Sequence, residues 1–206
     1  MERRHKLKSY YYAEYQNVII RPLEKKDIEQ LRIWRNDTKQ IRFLRNIGYI
    51  TREMQEKWYE NYLKDPDTLT FVVEETEKIK HMVGSLSLYN FHDEEAEIGR
   101  LQIGDLSARG MGIGGKSFVL AMAIGFKKMG LKRIYASVHR ENIAAYKSYL
   151  RIGFQICGYH SAPVGGVEDE IEITFSELTQ ANKYLSAIKI NSGREIDKNN
   201  DKEYME

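Results

Sequence analysis

The sequence has one cysteine, no apolar run long enough to cross a membrane, and no excess of charge of either sign. A single thiol, Cys157, cannot form a disulfide within the chain, which favours a reducing compartment. The lack of a spanning run excludes a helical membrane protein. Lys6 and Lys8 interrupt the stretch in which a secretory signal would be continuously apolar. We therefore expect a cytoplasmic protein without a membrane partner.

The charge balance also bears on the partners of the chain. The net charge of +2 arises from 32 basic and 30 acidic side chains, which gives no basic surface for nucleic acid. A chain of 206 residues, 42% of them hydrophobic, can bury one core. We predict a single domain over residues 16–178. A basic extension, residues 1–15, precedes it, and a weak helix with a charged mobile tail, residues 179–206, follows it.

Glycine is concentrated in residues 109–117, which read Arg-Gly-Met-Gly-Ile-Gly-Gly-Lys-Ser and lead into an apolar helical pattern. Glycine lets the backbone approach a ligand closely and adopt positive φ, and the unpaired N–H groups at a helix start attract an anion. This stretch is therefore predicted to bind phosphate. It fits three patterns: the Walker A string, the dinucleotide fingerprint, and the pyrophosphate loop Arg109-x-x-Gly112-x-Gly114 of acyl-CoA acetyltransferases.

The context of the glycine stretch weakens two of these patterns. A nucleotide-hydrolysing P-loop needs an acidic residue at the end of a later apolar strand to hold magnesium. The later strand candidates instead end in His139 or lead into Gly158. A dinucleotide-binding domain places its glycines directly after the first strand, whereas here they lie past mid-chain and follow residues 105–108. A P-loop nucleotide-binding protein is the weakest of the alternatives.

A second motif lies downstream of the glycines. Asn142-x-x-Ala145-x-x-x-Tyr149-x-x-x-Gly153-Phe154 matches, at every position, the second signature of the GNAT superfamily of N-acetyltransferases. With both motifs in the expected order, the chain resembles this superfamily over roughly residues 18–175. The strings Leu-Arg-Ile-Trp-Arg-Asn at residues 31–36 and Glu-Ile-Gly at residues 97–99 are similar to one branch of it. That branch contains ribosomal-protein N-terminal acetyltransferases and amino-sugar acetyltransferases of pseudaminic acid biosynthesis.

The resemblance implies the acyl-CoA N-acyltransferase fold, an α/β (α+β) class with helices on both faces of a mixed, mostly antiparallel central sheet. The implied order is β-α-α-β-β-β-α-β-α-β-β, and the apolar periodicity agrees with it. A first helix is expected to bury Trp34, and a second, beginning at Thr51, to bury Met54, Trp58 and Tyr62. Strands are predicted at residues 18–20, 69–73, 82–89, 96–103, 134–138, 154–159 and 171–175, and later helices at 113–129 and 143–152.

By resemblance, acetyl-CoA is the co-substrate and no metal is expected. The glycine stretch would hold its pyrophosphate, and the preceding strand would pair with its pantetheine arm like an added strand. Asn142 would meet the pantetheine and also cap a helix. The charged residues of the loop have an ordinary alternative as surface charges. The residues implied in coenzyme binding are Leu101, Gln102, Ile103, Arg109, Gly110, Met111, Gly112, Ile113, Gly114, Gly115, Lys116 and Asn142.

Acetyl transfer from a thioester to an amine requires a base for the amine, donors for the developing oxyanion and an acid for the thiolate. Glu97 is the candidate base, because regular alternation along its strand puts it on one face with Gly99, Leu101 and Ile103. Tyr149 occupies the position whose phenol, by resemblance, protonates the thiolate. The ordinary alternatives are an exposed turn position for Glu97 and a core position for Tyr149.

The acceptor is less constrained by the sequence. Aromatic rings beside arginines would suit a nucleotide-linked sugar or an acidic acceptor. We expect direct attack by a primary amine of a small molecule or amino sugar, with a protein N-terminal α-amine as the second choice. A non-catalytic acyl-CoA-binding module is the alternative of another class, and a homodimer is compatible with each. By resemblance, the residues near the acceptor are Trp34, Arg35, Asn36, Phe43 and Trp58.

Overall fold

A nine-stranded sheet runs through the part of the chain that the computed structural model describes, residues 11–38, 42–43 and 47–192. The order across the sheet is β7-β8-β6-β5-β4-β3-β2-β1-β9. All neighbouring strands are antiparallel except β5 and β6, which are parallel. The predicted mixed, mostly antiparallel sheet is confirmed. The strands are β1 (Tyr11–Tyr15), β2 (Val18–Pro22), β3 (Thr68–Glu75), β4 (His81–His92), β5 (Glu95–Ile103), β6 (Arg133–His139), β7 (Gln155–Ser161), β8 (Val167–Thr174) and β9 (Lys189–Ser192).

The α-helices of the described residues are α1 (Ile28–Asn36), α2 (Arg52–Lys64), α3 (Ile113–Lys128), α4 (Ile143–Ile152) and α5 (Phe175–Ala181). The α3 face of the sheet is the one whose core contains Phe118 of α3, residues of α4, and Leu178 of α5. The opposite α1 face is covered by α1 and α2, where Trp34 and Tyr62 pack around Val72. Helices on both faces agree with the prediction. None of these helices combines the length and the hydropathy needed to span a membrane.

Local signals explain where the helices begin and end. The Thr51 side chain accepts a hydrogen bond from the Met54 N–H at 3.2 Å and so caps α2. Asn142 caps α4 by accepting from the Ala145 N–H at 3.3 Å. Gly153, with a φ of 114°, ends that helix. In α3, residues 117–126 are all buried, which makes it the central helix of the α3 face.

Two strands at one edge of the sheet were not predicted. β1 lies within residues 1–15, which the sequence assigned to a basic extension, and β9 lies within the predicted tail, residues 179–206. β1 pairs with both β2 and β9, and Ala13, opposite Ile190, is fully buried. Where a weak helix was predicted in the tail, residues 179–181 end α5 and Lys183–Ala187 form a 3₁₀ helix. Residues 1–10 and 193–206 lie outside the described residues.

The burial predicted for α2 is partly wrong. Met54 is 48% exposed and Trp58 is 38% exposed, whereas Tyr62 is buried as predicted. α2 packs mainly on α1 and touches the sheet near its C-terminal end, where the Tyr62 hydroxyl accepts a hydrogen bond from the Thr70 N–H at 3.3 Å. Because the first turns of α2 lie outside the sheet, their apolar side chains stay at the surface.

Candidate active site

The sheet opens between its two parallel strands. β5 and β6 are paired from their first residues up to Glu97, which lies opposite Tyr135, although β5 continues to Ile103 and β6 to His139. No other described strand lies between them. Beyond Glu97, a V-shaped opening therefore separates two facing strand edges. Such edges can pair with an extended ligand as if it were an added strand.

The glycine stretch forms the N-terminal end of α3. Gly110 and Gly112 have φ values of 77° and 73°, a backbone region that favours glycine. The first main-chain hydrogen bond of the helix runs from the Lys116 N–H to the Gly112 carbonyl at 3.2 Å. No described residue accepts from the N–H groups of residues 113–115. Together with the positive end of the helix dipole, these N–H groups form a cradle for an anion.

Two further glycines bring this cradle close to its neighbours. A Cβ on Gly114 would lie 3.2 Å from Leu101 Cδ2 of β5, and a Cβ on Gly115 would lie 3.2 Å from Ser148 Oγ of α4. Larger side chains at these positions would push the start of α3 away from β5 and α4. The cradle, the second half of β5, and α4 therefore meet on the α3 face, beside the opening.

Tyr149 of α4 packs on the same face. Its ring lies between Phe118 and Phe154, with centroids 4.9 and 5.7 Å away. The residue is 9% exposed, and burial raises the pKa of its phenol. No described residue bonds to its hydroxyl. A phenol that stays protonated and keeps its O–H free of protein partners is a suitable proton donor.

Glu97 lies at the closed end of the opening. Its carboxylate accepts hydrogen bonds from Tyr89 Oη at 2.6 Å and from Asn90 Nδ2 at 2.8 Å, both from β4. Burial, and next the hydrogen bond to this carboxylate, raise the pKa of the Tyr89 phenol, which therefore stays protonated. Glu97 is thus half-buried and held by two donors, which contradicts the alternative of an exposed turn residue.

A β-bulge in β5 determines the face on which Glu97 lies. Arg100 has a φ of 54°, and the pairing with β4 shifts at this point. Ile98 packs in the core of the α3 face, so Glu97 points to the α1 face, while Leu101 and Ile103 pack against the α3-face core. The prediction that Glu97 shares a face with Leu101 and Ile103 is wrong, because a bulge shifts the alternation by one residue. The carboxylate and the cradle lie on opposite faces, and the opening connects them.

Other residues implied in coenzyme binding differ in burial and in the elements they contact. Met111 packs against the core of the α3 face, and Arg109 is exposed directly before the cradle. The buried Gln102 side chain donates to the Trp34 carbonyl at 2.9 Å and so joins β5 to α1. Lys116 Nζ donates to Asn17 Oδ1 at 3.0 Å, which directs it to the turn between β1 and β2. Lys116 therefore contacts this turn, and its implied role at the pyrophosphate stays a prediction.

Two of the residues predicted near the acceptor have structural contacts. A Cβ on Gly104 would fall within the Trp34 ring, so the indole lies directly on the backbone after β5. The Asn36 side chain donates to the Ile50 carbonyl at 2.9 Å and accepts from the Ile50 N–H at 2.8 Å. Trp34 is thus a core residue of the α1 face, and Asn36 fixes the segment that precedes α2.

The other three residues predicted near the acceptor have different surroundings. Trp58 stacks on Tyr62 with centroids 5.7 Å apart. Arg35 is half-buried, and burial lowers the pKa of its guanidinium. The Phe43 ring lies 5.2 Å from the ring of His139, at the end of β6. Phe43 therefore lies at the end of one strand that borders the opening.

Sequence reasoning missed Tyr89, Asn90 and Arg100. Tyr89 and Asn90 donate to the Glu97 carboxylate, and the Arg100 guanidinium lies 4.0 Å from the centroid of the Tyr89 ring. The available signal was the hairpin predicted between residues 82–89 and 96–103, because cross-strand neighbours meet on one face of a sheet. That pairing brings Tyr89 directly opposite Glu97.

Comparison with known proteins identifies the family. A sequence model of the acetyltransferase (GNAT) domain matches residues 17–155. The chain belongs to the GNAT acetyltransferase family. The superfamily inferred from the two sequence motifs is confirmed, and the anion cradle of this GNAT domain lies in the first of them.

Three proteins similar to this GNAT chain are each less than 30% identical to it. The N-acetyltransferase 9-like protein of Nematostella vectensis is 28% identical over 114 residues, 50% of this chain and 54% of that protein, so the chain spans about half its length. Vibrio cholerae spermidine N-acetyltransferase, solved with CoA and spermine, has a TM-score of 0.71 and 22% identity, covering 79% of this chain and 98% of that one. Mycobacterium smegmatis RimJ, solved with CoA-disulfide, has a TM-score of 0.67 and 22% identity, covering 82% and 88%. The two structures confirm the predicted fold.

Proposed function

We propose that this protein is an acetyl-CoA-dependent N-acetyltransferase that acetylates a primary amine by direct attack on the thioester. The observation that carries the proposal is the opening between β5 and β6, with an anion cradle on the α3 face and the Glu97 carboxylate on the α1 face. The coenzyme would approach from the α3 face and the amine from the α1 face. The two substrates would then meet within the opening.

The residues around the cradle suit the coenzyme. The N–H groups of residues 113–115 would bind its pyrophosphate, and the backbone of residues 101–103 would pair with its pantetheine arm. Asn142 accepts one hydrogen bond as a helix cap, and its side-chain N–H groups have no partner in the described chain. They could therefore donate to the pantetheine amides.

Two side chains would move the protons of the reaction. An alkyl ammonium ion, with a pKa of about 10, must lose a proton before it can attack. Glu97 would accept that proton, directly or through a water molecule. Tyr149 would donate its phenolic proton to the thiolate as the C–S bond breaks. We propose no step that needs a metal, and the described residues include no group of three His, Cys, Asp or Glu placed as ligands.

We propose a small amine or an amino sugar as the acceptor. Phe43 packs on His139, and Arg42 pairs with Glu141 at 2.9 Å, so residues 42 and 43, which lie between α1 and α2 in the chain, reach the end of β6. A partly covered acceptor side supports a compact acceptor over a folded protein. A protein N-terminal α-amine is the second candidate, because an extended N-terminus would need little more room than a small amine.

The test is turnover with a panel of acceptors. Purified protein and acetyl-CoA are incubated with nucleotide-linked amino sugars, spermidine, or peptides with a free α-amine, and both thiol release and product mass are measured. We expect acetylation of an amino sugar or small amine. Turnover with peptides alone would favour the α-amine. Thermal stabilisation by acetyl-CoA without turnover would favour a non-catalytic binding module. Stabilisation by Mg-ATP but not by CoA would overturn the proposal.

A further inference from the structure

We infer that Tyr89 and Asn90 are positioning residues that hold the Glu97 carboxylate in the orientation needed to take a proton from the acceptor amine. The inference rests on the proposed function, in which Glu97 is the base. It adds two residues of β4 that neither acetyltransferase motif of the sequence includes. Both residues act through Glu97.

The geometry gives each carboxylate oxygen its own donor. Tyr89 Oη donates to Oε1 at 2.6 Å, and Asn90 Nδ2 donates to Oε2 at 2.8 Å. Two donors on different oxygens fix the plane of the carboxylate, and each oxygen keeps a further lone pair for a proton. A base held in this way needs no reorganisation when the amine arrives.

The Tyr89 ring has contacts that do not depend on its hydroxyl. The Arg100 guanidinium lies 4.0 Å from the ring centroid, and Tyr89 lies opposite Glu97 in the β4–β5 pairing. Tyr89→Phe would therefore remove one hydrogen bond and leave the ring in place. Charged or titratable groups around this pair include Glu95, Arg100, Arg133, Tyr135 and Glu172.

Gly99 offers a second way to break the same hydrogen bond. A Cβ on Gly99 would lie 2.8 Å from Tyr89 Oη, whereas the nearest ring carbon would be 3.4 Å away. Gly99→Ala should therefore displace the hydroxyl of Tyr89 but be tolerated by the ring of Tyr89→Phe. If both substitutions act by breaking the hydrogen bond from the Tyr89 hydroxyl to Glu97, their effects on kcat will not be additive.

The first experiment measures Tyr89→Phe with the best acceptor found for the wild type. We expect kcat to fall about 10-fold to 10²-fold, with the KM for acetyl-CoA and the Tm almost unchanged. A fall in kcat without a change in KM or Tm would separate a positioning role from a merely structural one. Tyr159→Phe, at an exposed tyrosine of β7, is the control and should behave as wild type.

The second experiment adds Asn90→Gly, Gly99→Ala and the Gly99→Ala/Tyr89→Phe double variant. Asn90 has a φ of 52°, so glycine keeps the backbone and removes the amide donor. Each single variant should lower kcat, and the double variant should match Tyr89→Phe alone. If the variants lower Tm but keep the wild-type kcat, Tyr89 and Asn90 only stabilise the fold, and the inference is overturned.

Glu97→Gln separates this inference from the proposed function. If Glu97→Gln is inactive while Tyr89→Phe and Asn90→Gly keep the wild-type kcat, the positioning role is wrong and the function stands. If Glu97→Gln keeps full turnover, Glu97 is not the base. The positioning role then fails together with that part of the mechanism.

Discussion

At the scale of single residues, the proposed chemistry depends most directly on Glu97. Glu97→Gln keeps the size of the side chain but cannot take a proton from the amine. We expect kcat to fall about 10²-fold to 10⁴-fold, while coenzyme affinity is unchanged because the cradle lies on the other face of the sheet. Thiol release measures kcat, and calorimetric titration with acetyl-CoA measures the coenzyme affinity. Loss of coenzyme affinity would show that the substitution disturbs the α3 face.

Tyr149 gives a second prediction at this scale. Burial raises the pKa of its phenol, so the acid form persists to higher pH than it would in an ordinary tyrosine. The basic limb of the wild-type kcat profile should accordingly lie above pH 10, the ordinary value of a phenol. Tyr149→Phe keeps the packing on Phe118 and Phe154 and should lower kcat by about 10²-fold or more. Unchanged turnover would assign the proton to another donor and leave the fold assignment intact.

Single residues also show how far sequence reasoning reaches. Glu97 and Tyr149 could be proposed because their motifs place them within a strand and a helix of known order. The face of Glu97 could not, because the bulge at Arg100 is a left-handed residue that no periodicity indicates. Lys116 also matched its motif, yet its ammonium group lies at Asn17. A motif fixes the backbone position, whereas the contacts of a long side chain depend on the packed structure.

At the scale of elements, those with signals in their own sequence were predicted more accurately than those held by contacts with distant parts of the chain. α4 was predicted with its observed bounds because both of its ends carry local signals, the Asn142 cap and the left-handed Gly153. β9 was missed because it pairs with β1, a distant part of the chain, whereas β1 also forms a local hairpin with β2 and was missed because its segment was assigned to the basic extension. Propensity and periodicity describe neighbours in sequence, so an edge strand made by such pairing leaves a weak pattern.

The close approach of α3 and β5 can be tested at Gly114. Gly114→Val would place side-chain atoms against Leu101 Cδ2, which a Cβ would already approach to 3.2 Å. The start of α3 should move away from β5, so the KM for acetyl-CoA should rise by about 10-fold or more. Gly130→Ala is the control, because Gly130 follows the other end of α3 with a φ of 75° and open space around it. The control should lower Tm through backbone strain and leave the KM unchanged. A raised KM in both variants would contradict a local effect at the cradle.

At the scale of the whole molecule, the sheet separates two tasks. The α3 face carries the anion cradle proposed for the coenzyme, and the α1 face carries the proposed base and the proposed acceptor side. The fold could be predicted because two ordered motifs define the family. The proposed acceptor side could not, because it combines the β4–β5 hairpin, the end of β6, and residues 42 and 43 between α1 and α2. These segments are brought together by tertiary packing, and their spacing in the sequence does not indicate that they meet.

Glu75 links the stability of the whole molecule to pH. Its side chain is fully buried and accepts from Asn17 Nδ2 and from the backbone N–H groups of Glu77, Lys78 and Ile79. The hydrogen bond from the Ile79 N–H is the main cause that lowers the pKa of Glu75 to about 2. In the unfolded chain a glutamate has a pKa of about 4.3.

This depressed pKa predicts an acid-sensitive fold. The contribution of Glu75 is fully present above about pH 4.3 and is lost as the pH falls towards about 2, because protonation then removes the bound carboxylate. Glu75→Gln should therefore be less stable than wild type near neutral pH, and the difference should shrink towards pH 2. Urea unfolding midpoints from about pH 2 to about pH 7 measure this difference. Glu77→Gln, at an exposed site in the same turn, should follow the wild type throughout. A gap between Glu75→Gln and wild type that stays constant with pH would show that the side chain acts through packing and not through its charge.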